Sequence, residues 1–290
     1  MKPNQSDRRG YEILNKNPRR SPPRVKMECL TQYGHRVQLD GVLKNRSVFL
    51  AGAGPSLNDI PLSSLTRRGV ISMAMNNAWS MFRPNYWICV DSPCRFVDKG
   101  WRDPGITKFC PVANRTKNLR QRERNEIRPI SMRPLDCPNT LFYQRSDLFN
   151  HETFLREPYV CWGNLGDAKD STGCTGARSV MLAALKILYW LGARNVYLIG
   201  TDFRMDENTK YAFPQERPAG AITNNQYTYR VMLKRFEALK PHMDKAKFNV
   251  HCCVPHSPLC DIFPSIEYQD AIEKAAEECG GEFNTEGWYG

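Results

Sequence analysis

The residues best able to do chemistry begin at Gly52-Ala53-Gly54-Pro55-Ser56, directly after the apolar run Val48-Phe49-Leu50-Ala51. An apolar run, a tight glycine turn and a hydroxyl residue able to cap a helix through about Leu65 predict a strand–turn–helix. Glycines at 52 and 54 would let the backbone approach a ligand, and the first N–H groups of the helix would favour an anion there. The run is too short for a dinucleotide fingerprint and lacks the Gly-Lys-Ser/Thr ending of a P-loop. A second stretch, Asp170-Ser171-Thr172-Gly173-Cys174-Thr175-Gly176, is rich in hydroxyls and suited to grip a nucleotide. Asp202, Asp206 and Glu207 offer oxygens that could hold Mg²⁺, at a spacing that is not specific for it. His251 lies in a cysteine-containing apolar run and reads as a core residue.

These groups act together only if the fold brings them to one place. Val48–Ala51, Val70–Met75, Tyr86–Val90, Asn195–Gly200 and Phe248–Val254 read as strands. Ala177–Leu191 reads as a buried helix ended by Gly192, Tyr227–Leu239 as an amphipathic helix and Ser265–Glu278 as a final one. Strands alternating with helices indicate a parallel sheet whose ligands gather along its carboxyl edge. That edge would carry Gly52–Ser56, Asn76-Asn77, Asp91 and Thr201-Asp202-Phe203. The expected class is α/β: a Rossmann-like, mostly parallel sheet with helices on both faces, in a single domain over residues 28–290. Residues 94–165 are harder to read, and are expected to be a partner-binding insert.

The chain has 290 residues, 41% of them hydrophobic, enough for one α/β core, and no apolar run approaches a membrane span. The start lacks the apolar segment of a secretory signal. Eleven cysteines without Cys-x-x-Cys pairs argue against a disulfide framework and for a reducing, cytoplasmic compartment. The net charge of +11 sits in two places. Residues 1–27, read as a flexible arm, hold eight basic and two acidic side chains, and residues 115–133 hold seven and two. The basic residues of the second segment include Arg115, Lys117, Arg120, Arg122, Arg124 and Arg128. Charge confined in this way suggests a polyanionic partner, nucleic acid or an anionic membrane surface.

Several pieces, taken in order, resemble the bacterial sialyltransferases that build lipooligosaccharide caps. Ala51-Gly52-Ala53-Gly54-Pro55-Ser56-Leu57 is similar to their opening Gly-x-Gly-Pro-Ser-Leu, and Asn77 to their nucleotide-contacting asparagine. Gly200-Thr201-Asp202-Phe203 and Tyr211-Ala212-Phe213 resemble their Gly-x-Asp-Phe…Tyr-Ala-Phe run, and Val254-Pro255-His256-Ser257 their closing element. The same frame is shared by hydroxymethylpterin pyrophosphokinase-like proteins of bacteria and phages. The resemblance implies a metal-independent glycosyltransferase with no cofactor, using a nucleotide-activated sugar. Gly52, Ala53, Gly54, Pro55, Ser56, Asn77 and Asp202 would then surround the nucleotide, with Ser171, Thr172, Gly173 and Thr175 on the nucleoside and Ser179 a rival for that role. Tyr211 corresponds to a tyrosine that steadies the departing phosphate.

Three departures matter. Ala53 replaces a donor-touching asparagine, Arg204 stands where a phosphate-facing tyrosine is expected, and the segment Asn224-Asn225-Gln226-Tyr227 holds no counterpart of the family's catalytic histidine. A transfer to a hydroxyl still needs a base, and Asp91 and His256 are the candidates. The leading expectation is a glycosyltransferase whose acceptor is polyanionic, a hydroxymethylated base in DNA. A pterin-type pyrophosphokinase needing ATP and Mg²⁺, or an inactive nucleotide- or nucleic-acid-binding module, are the alternatives.

Overall fold

The computed structural model describes residues 28–123, 126–205, 211–213 and 221–278, so the basic arm of 1–27 lies outside the described residues. Its elements run β1 (Glu28–Leu30), β2 (Arg36–Gln38), β3 (Ser47–Ala51), β4 (Ile71–Met75), β5 (Tyr86–Ile88), α1 (Asp98–Arg102) and β6 (Thr107–Pro111). There follow β7 (Arg120–Glu123), β8 (Glu126–Pro129), β9 (Thr140–Tyr143), β10 (Arg145–Ser146), β11 (Val160–Cys161) and α2 (Val180–Leu191). The chain continues through β12 (Asn195–Ile199), α3 (Ala221–Lys245), β13 (Asn249–Cys252) and α4 (Tyr268–Glu277). Nine strands form one sheet in the order β13-β12-β3-β4-β5-β6-β9-β1-β2. Pairing is parallel from β13 to β9 and antiparallel at β1 and β2. The chain leaves β3 in one direction and returns on its other side as β12, so the switch point lies between those two strands.

Period-two alternation explains why the central strands are buried throughout. Val48 and Leu50 of β3 enter one apolar cluster with Val196 and Leu198 of β12. Phe49 and Ala51 enter the opposite cluster with Tyr197 and Ile199. The first cluster is covered by α2 and α3. The second is covered by α1 and by α4, whose buried Tyr268, Ala271, Ile272 and Ala275 recur at helical spacing. The Ser179 side chain caps α2 by accepting from the Met181 N–H (3.1 Å), and Gly192 ends it at φ 90°.

Two expectations are corrected here. The helix expected from Ser56 to Leu65 is two short 3₁₀ turns, Pro55–Asp59 and Leu62–Thr66, because Pro61 cannot donate in a continuous helix. Residues 94–165 are not an insert as a whole. Within them β6 and β9 are interior strands of the sheet, so the excursion narrows to residues 112–139 and the β7–β8 hairpin. Phe109 of β6 and Phe142 of β9 are core residues, a pattern that the basic run between them obscures in the sequence.

Ten cysteines fall among the described residues and all are free thiols. No helix among those residues is long and apolar enough to cross a membrane.

Lys186 of α2 is fully buried, donates to the Phe154 carbonyl and lies 4.3 Å from the Trp190 ring centre. Burial pushes its ammonium down to about 7 from an ordinary value of 10.5. The folded state therefore releases this proton more readily than the unfolded chain, and the charge penalty shrinks as pH rises from about 7 towards 10.5. Lys186→Met is expected to remove that dependence. The melting temperature of the variant relative to the wild type should be highest at pH 7 and fall steadily towards pH 10; a constant difference would show that the ammonium carries no such penalty.

Candidate functional site

At the switch point the loops leaving β3 and β12 touch backbone to backbone. The Gly52 N–H donates to the Ile199 carbonyl and the Gly54 N–H to the Gly200 carbonyl, each at 2.8 Å. A Cβ on Gly52 would lie 2.3 Å from the Gly200 oxygen, and one on Gly54 would lie 1.9 Å from Asp202 Oδ2. Gly200 itself sits at φ +58°, where an added Cβ would strike Leu57. The glycines are thus required first by the neighbouring loop.

Asp202 supplies the anion at this turn. Its Oδ2 accepts from Ser56 Oγ at 2.8 Å and its Oδ1 from the Ser56 N–H at 3.3 Å. Burial pushes the Asp202 carboxyl up, while the two Ser56 bonds oppose the shift. Ser56 therefore ties the two loops together. On the far side, Ser257 Oγ donates to the Thr201 carbonyl at 2.9 Å and adds the loop after β13 to the assembly.

A cavity of about 130 Å³ opens beside this crossing. Gly52, Ala53 and Gly54 form one wall, Met75 and Asn76 another, and Ser179, Val180 and Met181 a third. Thr201, Asp202, Phe203, Arg204, Tyr211 and Tyr229 complete it. Asn76 holds a left-handed backbone, φ 50°, and its carbonyl accepts from Trp87 Nε1 at 2.7 Å. Its Oδ1 and the Thr201 Oγ1 are buried without a hydrogen-bond partner among the described residues. Unpartnered buried oxygens are rare, and both of these belong to residues that line this one cavity.

The sequence-derived residues divide sharply. Gly52, Ala53, Gly54, Asp202, Arg204 and Tyr211 line the cavity, with Pro55 and Ser56 behind the turn. Asn77 does not line it; its neighbour Asn76 does. The hydroxyl stretch is also elsewhere. Thr172 Oγ1 donates to Asp170 at 2.6 Å, Ser171 Oγ lies 2.8 Å from His151 Nδ1, and the Thr175 carbonyl accepts from the Tyr227 hydroxyl at 3.1 Å. Gly173 is the turn glycine of that loop, at φ +73°. Behind it, fully buried Arg235 pairs with Asp170 at 2.8 Å and donates to the Gly176 and Ala177 carbonyls. Burial alone would raise the Asp170 carboxyl, but the Thr172 and Arg235 contacts outweigh it and hold it below its ordinary value. The loop braces α3 against the start of α2, and of the two hydroxyl sources weighed from the sequence only the helix cap Ser179 lines the cavity.

Asp91 is ion-paired with Arg95 at 2.8 Å and is not part of the cavity wall. His256 is exposed, at φ 62°, in a separate cavity of about 800 Å³ at the end of β13. Arg115, Lys117, Arg120 and Arg128 are exposed on or before the hairpin. Arg122 opposes Ile127 in its register and Arg124 lies outside the described residues, as do Asp206 and Glu207. The sequence placed Asn76 and Thr201 on this edge without assigning either a ligand contact, and it gave no sign of Tyr229. A strand-ending asparagine able to take a left-handed backbone was the available signal for Asn76.

The crossing makes Gly54 and Asp202 energetically coupled. Gly54→Ala is expected to cost more than about 2 kcal/mol, because the methyl meets both Asp202 and the Gly200 backbone. Asp202→Ala should relieve part of that clash, so the double variant would be less destabilised in urea than the two single losses added together. Strict additivity would show that the two loops do not press on each other.

No family model matches the chain, and no curated protein matches it. Solved structures that are similar include the sialyltransferase CstII from Campylobacter jejuni in complex with cytidine-5'-monophosphate, at 14% identity over 76% of this chain and 84% of that one, TM-score 0.40. Another is the sialyltransferase CST-II in complex with trisaccharide acceptor and CMP, at 15% identity over 76% and 86%, TM-score 0.38. A third is the monofunctional alpha-2,3-sialyltransferase Cst-I from Campylobacter jejuni, at 16% identity over 76% and 80%, TM-score 0.38. The likeness is to bacterial sialyltransferases at low identity, and at those scores it carries no argument about what this chain binds.

Proposed function

We propose that the chain is a glycosyltransferase that moves a sugar from a nucleotide-activated donor to a hydroxyl acceptor, with the donor in the cavity between β3 and β12. The observation that carries this reading is the pair of buried, unpartnered oxygens, Asn76 Oδ1 and Thr201 Oγ1, at the topological switch point. Asn76 Oδ1 accepts only, so it calls for a hydroxyl or amino group such as a nucleoside offers. The cavity's 130 Å³ is well below the roughly 300 Å³ at the lower end of small-molecule sites, which fits one portion of a nucleotide rather than the whole. Arg204 and Tyr211 would meet the phosphate side, one by fixed charge and one by its hydroxyl.

In the proposed reaction the acceptor oxygen bonds to the anomeric carbon as that carbon's bond to the donor phosphate breaks. The acceptor proton passes to a base. His256 is favoured over Asp91 for that role: Asp91 is held by Arg95, whereas the His256 loop is tied to the cavity wall through Ser257 and Thr201. Arg204 and Tyr211 balance the charge left on the nucleotide, so no metal step is required. The proposed acceptor is a polyanion such as DNA carrying a hydroxymethylated base. Exposed Arg115, Lys117, Arg120 and Arg128 support this, as does the bridge that fastens Arg120 to Val97 at the start of α1.

Labelled nucleotide-sugars and ATP, offered with hydroxymethylated and plain DNA, test the reading directly. Sugar transfer that persists in excess EDTA is expected. Transfer from ATP alone, lost in EDTA and restored by Mg²⁺, would replace the proposal with a pyrophosphokinase. His256→Ala should lower kcat by about 10²-fold or more with donor affinity unchanged.

For the acceptor, Arg115, Lys117, Arg120 and Arg128 changed together to Gln should flatten the slope of log affinity against log salt by about 0.9 for each phosphate no longer neutralised. An unaltered slope would remove the hairpin from the acceptor site, and binding to anionic vesicles with none to duplex DNA would point to a membrane surface instead.

A further inference from the structure

Two arginines share one indole beside the cavity. The Arg145 guanidinium carbon lies 4.4 Å from the Trp162 ring centre and that of Arg178 lies 4.7 Å from it. Like charges drawn to one ring repel each other, and a single nearby carboxylate offsets only part of that. It belongs to Asp147, which accepts from Trp162 Nε1 and stands 3.7 Å from Arg145 Nε. Arg178 is exposed and has no ion pair among the described residues. Stacking on the ring satisfies none of a guanidinium's five N–H donors, so it holds the groups in place while leaving donors to offer.

The surrounding backbone fixes this cluster next to the cavity. The Ser179 N–H donates to the Trp162 carbonyl at 2.7 Å, and Gly163 opposes Arg178 in an antiparallel bridge. Gly163, at φ +135°, has no room for a Cβ, which would lie 2.3 Å from the Ala177 oxygen. Arg178 immediately precedes Ser179, which lines the cavity, and Arg145 follows the carboxyl end of β9 on the same edge of the sheet.

We propose that Arg145 and Arg178, held on Trp162 beside Ser179, form a subsite for a phosphate or carboxylate of the acceptor. Its assignment to the acceptor rests on reading the adjoining cavity as the donor site. A planar guanidinium matches either anion with two parallel N–H bonds, and two such groups around one anion would cancel the repulsion between them.

The full-length protein is titrated calorimetrically with inorganic phosphate, with succinate and with nucleoside monophosphates, as wild type, Arg145→Gln, Arg178→Gln and Arg178→Lys. Either Gln change is expected to weaken the anion by about tenfold or more, with Lys intermediate, nucleoside monophosphate affinity preserved and the melting temperature unchanged. Loss confined to phosphate identifies a phosphate-bearing acceptor, and loss confined to succinate a carboxylate-bearing one. Equal binding of both anions by wild type and the two Gln variants, or no binding by the wild type, overturns the proposal. If anion binding depends on Arg178 while no nucleoside monophosphate binds the wild type, the subsite stands and the donor reading falls.

Discussion

Where the loops after β3 and β12 cross, the polypeptide leaves no volume for a side chain at Gly52, Gly54 or Gly200. That crossing organises the rest. It draws the Asp202 carboxylate into the turn after β3, where Ser56 binds both of its oxygens. A buried carboxylate without those donors would be costly, and Ser56 without the carboxylate would leave its own groups unpaired, so each residue makes the other tolerable. The glycine turn that looks like a place for an external phosphate already holds an internal anion. The adjoining space is lined by Asn76 and Thr201, whose side-chain oxygens nothing among the described residues satisfies.

Two more tethers keep that space in shape. The side chains of Arg235 and Asp170 are both buried, and they fasten the 170–177 loop to α3 just ahead of the Ser179 cap of α2. Removing one partner of such a pair typically costs about 3–5 kcal/mol, because the survivor is left charged and unpaired. At the opposite end of the strands, the Glu278 carboxylate accepts from the Ser47 N–H and hydroxyl and from Asn195, closing the starts of β3 and β12. The two central strands are thereby pinned at both ends, by Glu278 at one and by Asp202 at the other.

Charge follows a different logic from packing. The basic groups that are exposed, Arg115, Lys117, Arg120 and Arg178 among them, belong to connections rather than to central strands. The cations that do enter the core, Lys108, Lys186 and Arg235, are surrounded by backbone carbonyls, rings or one carboxylate. Connections can therefore carry an anionic partner without loosening the sheet, since none of their cations is needed inside it.

The parallel sheet, its central strands and the placement of Gly52–Gly54 and Asp202 on one edge were legible in the sequence. Apolar runs ended by glycine or small polar residues specify buried parallel strands through local chemistry alone. What the sequence left open depended on atoms far apart in the chain. Asn76, with its left-handed backbone, lines the cavity, and Asn77 does not. The contacts of Ser171 with His151, of Thr172 with Asp170 and of Asp91 with Arg95 appear only in the folded chain. β6 and β9 were hidden because a strand buried by distant partners reads locally like any short apolar run beside charged neighbours. Residue types and spacing determined which groups could reach the edge; only the tertiary contacts decided which of them still had a free hydrogen-bonding atom once they arrived.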